Sequence, residues 1–256
     1  MLFRSRYFAY SLCAIGKEKY TVFFRQGTDF ANRLQRSGFV IGVHDGNENG
    51  LRGDGSFHLL EIDAAIALPV THVSAYALIV EEGTKLAAQI KRGEYTMPDD
   101  DLMADMYLHV DQQCMQKGLK WYELSNWAKP GHECRHNIAY WKSQNWWGLG
   151  PGAHSHIDQK RFWNVKHPNA YKEKVFGGKS PVKDSEILSD EEKKSEYIML
   201  AIRMPAGVRK SALTVAQYER TIAYIKSGHV IERDDSLALT ATGRLIADRV
   251  THEMLR

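Results

Sequence analysis

An apolar strand pattern that follows a helical pattern is the feature that most constrains the fold of this chain. The stretch "LLEIDAAIAL" has helical spacing and ends at Pro69, which cannot continue a helix. The next stretch, "THVSAYALIV" (71–80), is β-branched and largely apolar, which is typical of a strand covered on both faces. A strand that follows a helix in this way predicts a parallel α/β unit, so we expect an α/β fold from Leu59 onward.

The pattern after this unit predicts three further regions. "MPDDDLMADMYLHVDQQCMQKG" predicts a helix that is closed by Gly118, and "LKWYELSNWA" predicts a second strand. Residues 129–165 are aromatic and glycine-rich with little regular pattern, so we expect a long loop there, and loops of that length are usually functional.

The last part of the chain has the order helix, helix, hairpin, helix, which predicts a winged-helix-like module. A Ser-x-x-Glu capping box marks its first helix, from Ser189 to Glu192. We place a boundary near 178–188, in "GGKSPVKDSEI". The expected organisation is therefore a poorly matched segment 1–58, an α/β segment 59–180 and a helical domain 185–256.

Charge and cysteine content limit the function classes. The net charge of +3 comes from residues 1–58, because residues 59–256 hold 26 basic and 26 acidic residues. This balance gives no bulk electrostatic signal for nucleic acid or an acidic membrane. Three cysteines in 256 residues, at 13, 114 and 134, are too few for a disulfide framework, and no apolar run reaches the ~20 residues that span a bilayer. A cytoplasmic protein is expected.

Aromatic residues are concentrated in one region. All six tryptophans lie between 121 and 163, and five of the eleven histidines lie between 132 and 167. These residues could form a second hydrophobic core, since each aromatic side chain buries a large apolar area. They could equally form the wall of a site for a flat, ring-shaped apolar ligand, to which the glycines of "GLGPGAHSH" would allow close backbone approach. Composition does not decide between the two.

His136, in "ECRHNIAYW", likewise has more than one interpretation. A structural histidine is the default. His132 and Cys134 lie nearby, but no second Cys/His pair follows at zinc spacing, so a zinc site is disfavoured. A neutral imidazole that gives one axial bond to a haem iron needs no such cluster. Cys134 is the strongest rival ligand, followed by His132 and His154.

Four stretches carry a family resemblance: "HVSAYALIVEEGT", "WYELSNWAKPGHECRHNIAYW", "WWGLGPGAHSH" and "RFWNV". From about Ile62 to Tyr171, and more loosely to Arg256, the chain resembles the C-terminal half of the HemN/HemW family of radical-SAM proteins, and most of all its haem chaperones. The resemblance implies the end of a partial (β/α) radical-SAM barrel followed by a mostly helical, winged-helix-like domain. It also implies a haem-binding segment with His136 on the haem iron, accompanied by Asn137, Tyr140 and Trp141, with Cys134 beside them.

The family's cluster motif, Cys-x3-Cys-x2-Cys, is missing from these 256 residues. From Cys13 the required cysteines would fall on Lys17 and Tyr20. The family's [4Fe–4S] cluster and S-adenosylmethionine are therefore not expected to bind, and Asp45 is only a weak candidate for contact with the S-adenosylmethionine ribose. The chain looks truncated. A gene fragment, a mis-assigned start, a frameshift and a natural cluster-less paralogue all remain open.

Three functions follow from these observations. The leading hypothesis is a truncated haem chaperone that binds haem and transfers it to apo-proteins such as respiratory enzymes, with scope for peripheral membrane association. The alternative is a radical-SAM oxidase of the coproporphyrinogen III type, in porphyrin biosynthesis, whose cluster-binding half is missing from this chain. A nucleic-acid-binding module is disfavoured, because acidic residues offset the basic ones of the C-terminal region.

Overall fold

The structure, a computed structural model, describes residues 39–42, 63–64, 66–77, 80, 82–95 and 99–256. Asp45 and the other parts of the predicted segment 1–58, apart from 39–42, lie outside these residues. The described chain divides into two compact units. The α/β unit holds the described residues before 134 and also Leu239–Ala247, and the aromatic unit holds Cys134–Ala238 and Asp248–Arg256.

A four-stranded mixed sheet forms the centre of the α/β unit. Its order is β1-β2-β4-β3, from β1 (Phe39–Gly42), β2 (His72–Tyr76), β3 (Lys120–Glu123) and β4 (Asn126–Ala128). β1 and β2 are parallel, whereas β4 is antiparallel to both β2 and β3. The expected α/β fold is confirmed, and the described sheet is small and does not close into a barrel.

The helices α1 (Lys85–Lys91) and α2 (Asp100–Gln116) belong to this unit. The Asp99 side chain accepts a hydrogen bond from the Leu102 amide at 3.0 Å, which satisfies one of the free amides of the first turn of α2. Gly118 ends the helical region in the left-handed conformation (φ 74°), as predicted. The apolar residues of α2 and the sheet form one core: Ile66, Val73, Ala75, Met106, Val110, Cys114, Leu119 and Trp127.

A buried polar network lies beside this core. The Asp111 carboxylate accepts hydrogen bonds from Trp127 Nε1 at 2.6 Å and from Arg244 Nη1 and Nη2 at 2.8 and 2.5 Å. Asp111 and Arg244 are only 5% and 9% exposed. The guanidinium also lies over the rings of Trp121 and Tyr107, at 4.5 and 5.5 Å from their centroids. This network fixes the short helix α7 (Ala241–Leu245) to the α/β unit.

The first part of the aromatic unit contains more regular structure than the sequence predicted. The long loop expected over 129–165 is wrong, because α3 (Arg135–Trp141) and the hairpin of β5 (His154–Ile157) and β6 (Lys160–Asn164) lie within it. α3 is too short for a helical apolar period to be visible. The hairpin turn is formed by Asp158 and Gln159 with φ of 49° and 67°, the left-handed pair that suits a two-residue turn but is usually marked by glycine.

The unit continues with α4 (Pro168–Phe176) and β7 (Val182–Ile187), which pairs antiparallel with β6 in a sheet of order β5-β6-β7. After β7 come α5 (Asp190–Ala201) and, past β8 (Val208–Arg209), α6 (Val215–Lys226). The capping box between Ser189 and Glu192 is present in both directions.

The predicted hairpin around Asp234–Asp235 is confirmed as β9 (Val230–Glu232) and β10 (Ser236–Leu239). Together with β8 these strands form a sheet of order β8-β10-β9. The expected final helix is two helices, α7 and α8 (Ala247–Leu255), which are separated at Ile246. The order helix, helix, hairpin, helix is that of the prediction, and the boundary near 178–188 stays a prediction. Among the described residues no helix is both long enough and apolar enough to cross a membrane.

Candidate functional site

Helix α3 brings the predicted site residues together. His136 and Tyr140 are four positions apart, so they share one helix face, and their rings meet edge to face at 4.7 Å. Asn137 and Trp141 share the neighbouring face for the same reason. The spacing His-Asn-x-x-Tyr-Trp therefore presents two adjacent ring-bearing faces from only two turns of helix.

The ring contacts continue beyond the helix. Tyr140 meets Trp146 at 4.7 Å, and Trp146 meets His156 at 4.8 Å. We call His136, Tyr140, Trp146 and His156 the aromatic row. The backbones of Trp146 and His156 exchange two hydrogen bonds, of 2.8 and 3.0 Å, so strand β5 holds the last two rings in register.

The loop between Trp146 and β5 is fixed by close backbone packing. A Cβ atom on Gly148 would lie 1.9 Å from the carbonyl oxygen of His154, a distance that only glycine tolerates. The Gly148 amide donates to Ser155 Oγ at 3.0 Å. The Gly150 amide donates to the Tyr171 hydroxyl at 3.2 Å. The loop is therefore an ordered, glycine-dependent connection.

Two large apolar side chains project from this ordered loop. Trp147 is 67% exposed and Leu149 is 81% exposed. Among the described residues Trp147 makes one ring contact, with Phe162 at 5.7 Å. Apolar side chains of this size that stay in solvent on a fixed backbone are typical of a surface that binds a ligand or a partner.

The imidazole of His136 has no hydrogen-bond partner among the described residues. Its side chain is exposed, and within the described parts of the chain neither ring nitrogen forms a hydrogen bond. Two buried polar atoms nearby in sequence also have no hydrogen-bond partner among the described residues, Trp141 Nε1 and His156 Nδ1. Buried polar atoms are rarely left unpaired in native proteins, so each of these is a place where water or a ligand atom would be stabilised.

The rival ligands differ in chemistry. Cys134 precedes α3, is 7% exposed and is disulfide-bonded, so its sulfur is not available as a thiolate in this structure. His154 stacks on Trp163 at 5.5 Å, and burial lowers the pKa of its imidazole, with Lys166 and Arg161 acting in the same direction. His132 is exposed before the helix.

Cys114 is not a candidate ligand. It is fully buried within α2 of the α/β unit, where burial and the Asp111 carboxylate raise the pKa of its thiol to about 12. It therefore stays protonated at neutral pH, and a metal ligand must be a thiolate.

The geometry fits one axial bond to a haem iron better than a multidentate metal centre. The described residues contain no group of three His, Cys, Asp or Glu side chains placed to hold a metal ion. A haem would need one imidazole and apolar contact with its ring. Helix α3 carries an exposed imidazole, and the loop after it carries the exposed side chains of Trp147 and Leu149. A [4Fe–4S] cluster does not fit these 256 residues, because three cysteines at 13, 114 and 134 cannot supply its motif.

Sequence reasoning predicted His136, Asn137, Tyr140 and Trp141 as site residues, and all four lie on α3. Their role stays a prediction. It missed Trp146 and His156 as the continuation of the row, because their contact depends on the pairing of residue 146 with β5. The signal that could have found them is the alternation of His154 and His156, which places only one of the two on the row. Asp45 lies outside the described residues.

Comparison with known proteins finds relatives that are named haem chaperones or radical S-adenosyl methionine proteins. The chain is 46% identical over 194 residues to the haem chaperone HemW of Mycobacterium tuberculosis, a match that covers 76% of this chain and 50% of the relative. It is 37% identical over 160 residues to HemW of Synechocystis, covering 61% of this chain and 39% of the relative. It is 33% identical over 146 residues to mouse mitochondrial radical S-adenosyl methionine domain-containing protein 1, covering 54% and 33%.

The fold has a solved relative as well. The structure of coproporphyrinogen III oxidase, HemN, from Escherichia coli aligns with a TM-score of 0.57 and 16% identity, covering 84% of this chain and 63% of that one. No protein-family model matches. The chain spans about half the length of the curated HemW it matches at 46% identity. Over its matched residues, this chain belongs to the HemN/HemW family of radical-SAM proteins.

Proposed function

We propose that the aromatic unit binds haem through His136 and that the chain passes haem on to acceptor apo-proteins. The observation that carries the proposal is the exposed imidazole of His136 at the start of the aromatic row, whose ring nitrogens have no hydrogen-bond partner in the described part of the chain. The relatives named haem chaperone HemW support the same ligand.

Each part of the site has a role in this proposal. If haem binds here, His136 is the residue that would hold its iron. Tyr140 supports the His136 ring from the side and limits its orientation. Trp147 and Leu149 provide exposed apolar area for the porphyrin.

The exposure of the site suits transfer better than storage. A haem held by one exposed imidazole and a surface of tryptophan and leucine stays within reach of an acceptor protein. A resident prosthetic group is more often enclosed on both faces. Delivery to apo-proteins such as respiratory enzymes is therefore proposed as the role of the site.

Hemin titration of single-site variants tests the ligand assignment. His136→Ala should weaken binding by at least about tenfold, which corresponds to about 1.4 kcal/mol, as followed by the Soret band. The matched control is His252→Ala, because His252 is an exposed histidine on α8. Cys134→Ser should weaken binding less than His136→Ala does.

Two outcomes would contradict the proposal. If His136→Ala binds like the parent and Cys134→Ser does not, the ligand is the wrong residue. If no variant matters and the parent binds hemin no better than a non-specific protein does, the aromatic residues are a hydrophobic core. Transfer is tested separately, by mixing the haem-loaded chain with an apo-globin and measuring the rate of globin reconstitution against free hemin.

The oxidase alternative is tested by the same preparation. After reconstitution with iron and sulfide under argon, these 256 residues should release no 5′-deoxyadenosine from S-adenosylmethionine above a protein-free control. Turnover above that control would revive the oxidase.

A further inference from the structure

A second side of helix α3 carries positive charge. Arg135, Ala139 and Lys142, the last of which caps the C-terminal end of the helix, follow one another at spacings of four and three positions, so they share one side. We call these three residues the basic face. Successive residues of a helix are about 100° apart around its axis, so His136, the next residue after Arg135, lies on the adjacent side.

The two cations of the basic face have no carboxylate to balance them. The side chains of Arg135 and Lys142 are exposed, and neither forms an ion pair or a hydrogen bond with a described residue. Helix α3 contains no acidic residue, and Glu133, just before it, accepts the backbone amide of Gly131 at 2.9 Å. Exposed cations are common on protein surfaces. Their position beside the exposed imidazole of His136 is what distinguishes these two.

The imidazole of His136 is closed on one side and open on the other. Tyr140 contacts its ring edge to face at 4.7 Å on one side. On the other side the helix carries Ala139, whose side chain is a single methyl group. A flat ligand held at His136 can therefore extend over Ala139 toward the basic face. Arg135 precedes His136 directly and Lys142 lies about 9 Å further along the helix axis, so the two cations flank this open side.

We infer that Arg135 and Lys142 bind the propionate groups of haem, so that the site selects iron porphyrins with free carboxylates. The inference rests on the proposed haem site at His136. A single axial bond leaves a macrocycle free to rotate about that bond, and two charge contacts at its edge prevent the rotation. The guanidinium of Arg135 offers parallel N–H donors that match a carboxylate, and the ammonium of Lys142 offers a compact charge.

Titration of the full chain with two iron porphyrins tests the inference. Hemin has two free propionates, whereas its dimethyl ester has the same macrocycle and iron without those negative charges. The parent should bind hemin about tenfold more tightly than the ester, as followed by the Soret band, because each exposed ion pair contributes up to about fivefold. The variant R135Q/K142Q should bind hemin about tenfold more weakly than the parent and should bind the ester as the parent does.

The matched control is R220Q/K226Q, which removes the same number of charges from exposed side chains of α6 and should bind both porphyrins like the parent. His136→Ala should weaken the binding of both porphyrins alike. Raising the salt concentration from about 0.05 to about 0.5 M should weaken hemin binding more in the parent than in R135Q/K142Q, since exposed ion pairs are screened. Urea titration checks that the substitutions leave the free energy of unfolding unchanged, as expected for exposed positions.

Two results would overturn the inference and leave the haem site in place. They are equal affinity of the parent for hemin and its ester, and equal weakening of both porphyrins by R135Q/K142Q, with His136 still required. Equal weakening of hemin binding by R220Q/K226Q would also contradict the inference, because net charge alone would then explain the effect. A parent that binds neither porphyrin would contradict the proposed function itself, and the inference with it.

Discussion

The two units use similar side chains in opposite ways. In the α/β unit Asp111, Arg244 and Trp127 are buried and joined by three hydrogen bonds. In the aromatic unit His136 is exposed with both ring nitrogens unpaired among the described residues, and His156 is buried with one unpaired nitrogen. The α/β unit also has buried polar atoms without a hydrogen-bond partner among the described residues, such as Arg244 Nε and Trp121 Nε1, so the difference lies in the matched buried charges of one unit and the exposed imidazole of the other. The comparison teaches that a buried, matched ion pair holds a fold together, whereas an exposed imidazole beside exposed rings is suited to binding.

The largest expected effect is at the ion pair of the α/β unit. Arg244→Met leaves the Asp111 carboxylate buried and without its charged partner, which should lower the free energy of unfolding by about 3–5 kcal/mol in urea titration. Arg249→Met, at an exposed arginine on α8, should change it by less than about 0.5 kcal/mol.

A double variant distinguishes the loss of the pair from the loss of packing. Asp111→Asn removes the charge but keeps an oxygen for Trp127 Nε1, so the combination with Arg244→Met should be more stable than Arg244→Met alone. If the double variant is no more stable than Arg244→Met, the arginine stabilises the unit mainly through its contacts with Trp121 and Tyr107, and the ion pair contributes less.

The second effect concerns the loop that presents Trp147 and Leu149. Gly148→Ala places a Cβ against the His154 carbonyl oxygen, so the backbone pairing beside it must shift, at about 1–3 kcal/mol of stability in urea titration. Hemin affinity should fall in the same variant. Gly178→Ala is the control, because Gly178 has a positive φ of 68° but open space around it, so only strain of about 1 kcal/mol is expected. If the two variants lose equal stability, the contact between the new Cβ at residue 148 and the His154 carbonyl oxygen is relieved at little cost.

A third comparison separates structure from binding within the aromatic unit. Trp146→Leu removes ring contacts with Tyr140 and His156 and should cost about 1–2 kcal/mol in urea titration. Trp147→Leu removes one contact of a mostly exposed ring and should cost less than about 1 kcal/mol. For hemin binding we expect the Trp147 variant to be affected although its stability is nearly normal. The reverse pattern would place the ligand surface elsewhere.

The smallest effect is the titration of His154. Burial holds its pKa below the ordinary value of about 6.5, so the folded state binds fewer protons there than the unfolded state does. The stability contribution of the neutral ring is present above pH 6.5 and is lost as the pH falls below that value. Proton NMR should report a pKa under 6.5 for His154. In His154→Gln the free energy of unfolding should depend less on pH below 6.5 than it does in the parent. A pKa at or above 6.5 would contradict the partial desolvation of the ring.

The sequence predicted the parts of this protein that depend on local rules. The capping box at Ser189, the helix end at Gly118 and the turn at Asp234–Asp235 need only neighbouring residues, and all are present. The spacing of His136 and Tyr140 brought the candidate residues together because four positions make one helical turn. The α/β class followed from the apolar strand after Pro69.

The parts that the sequence did not predict depend on distant contacts or unusual backbone. The hairpin of β5 and β6 turns on Asp158 and Gln159 in the left-handed region, where no glycine marks it. Trp146 joined the row only through pairing with His156. Arg244, within a short helix of ordinary composition, gave no sign of a partner 133 residues earlier.

The separation of 133 residues between Asp111 and Arg244 affects how the α/β unit folds during synthesis. Asp111 leaves the ribosome long before Arg244 is synthesised, so the nascent α/β unit has no cation for this carboxylate. Burial of an unpaired carboxylate is unfavourable, and the segment around Asp111 therefore stays hydrated until Arg244 is available. The α/β unit is therefore completed only after Arg244 has been synthesised, and a chain that stops before residue 244 would leave the core of this unit unfinished.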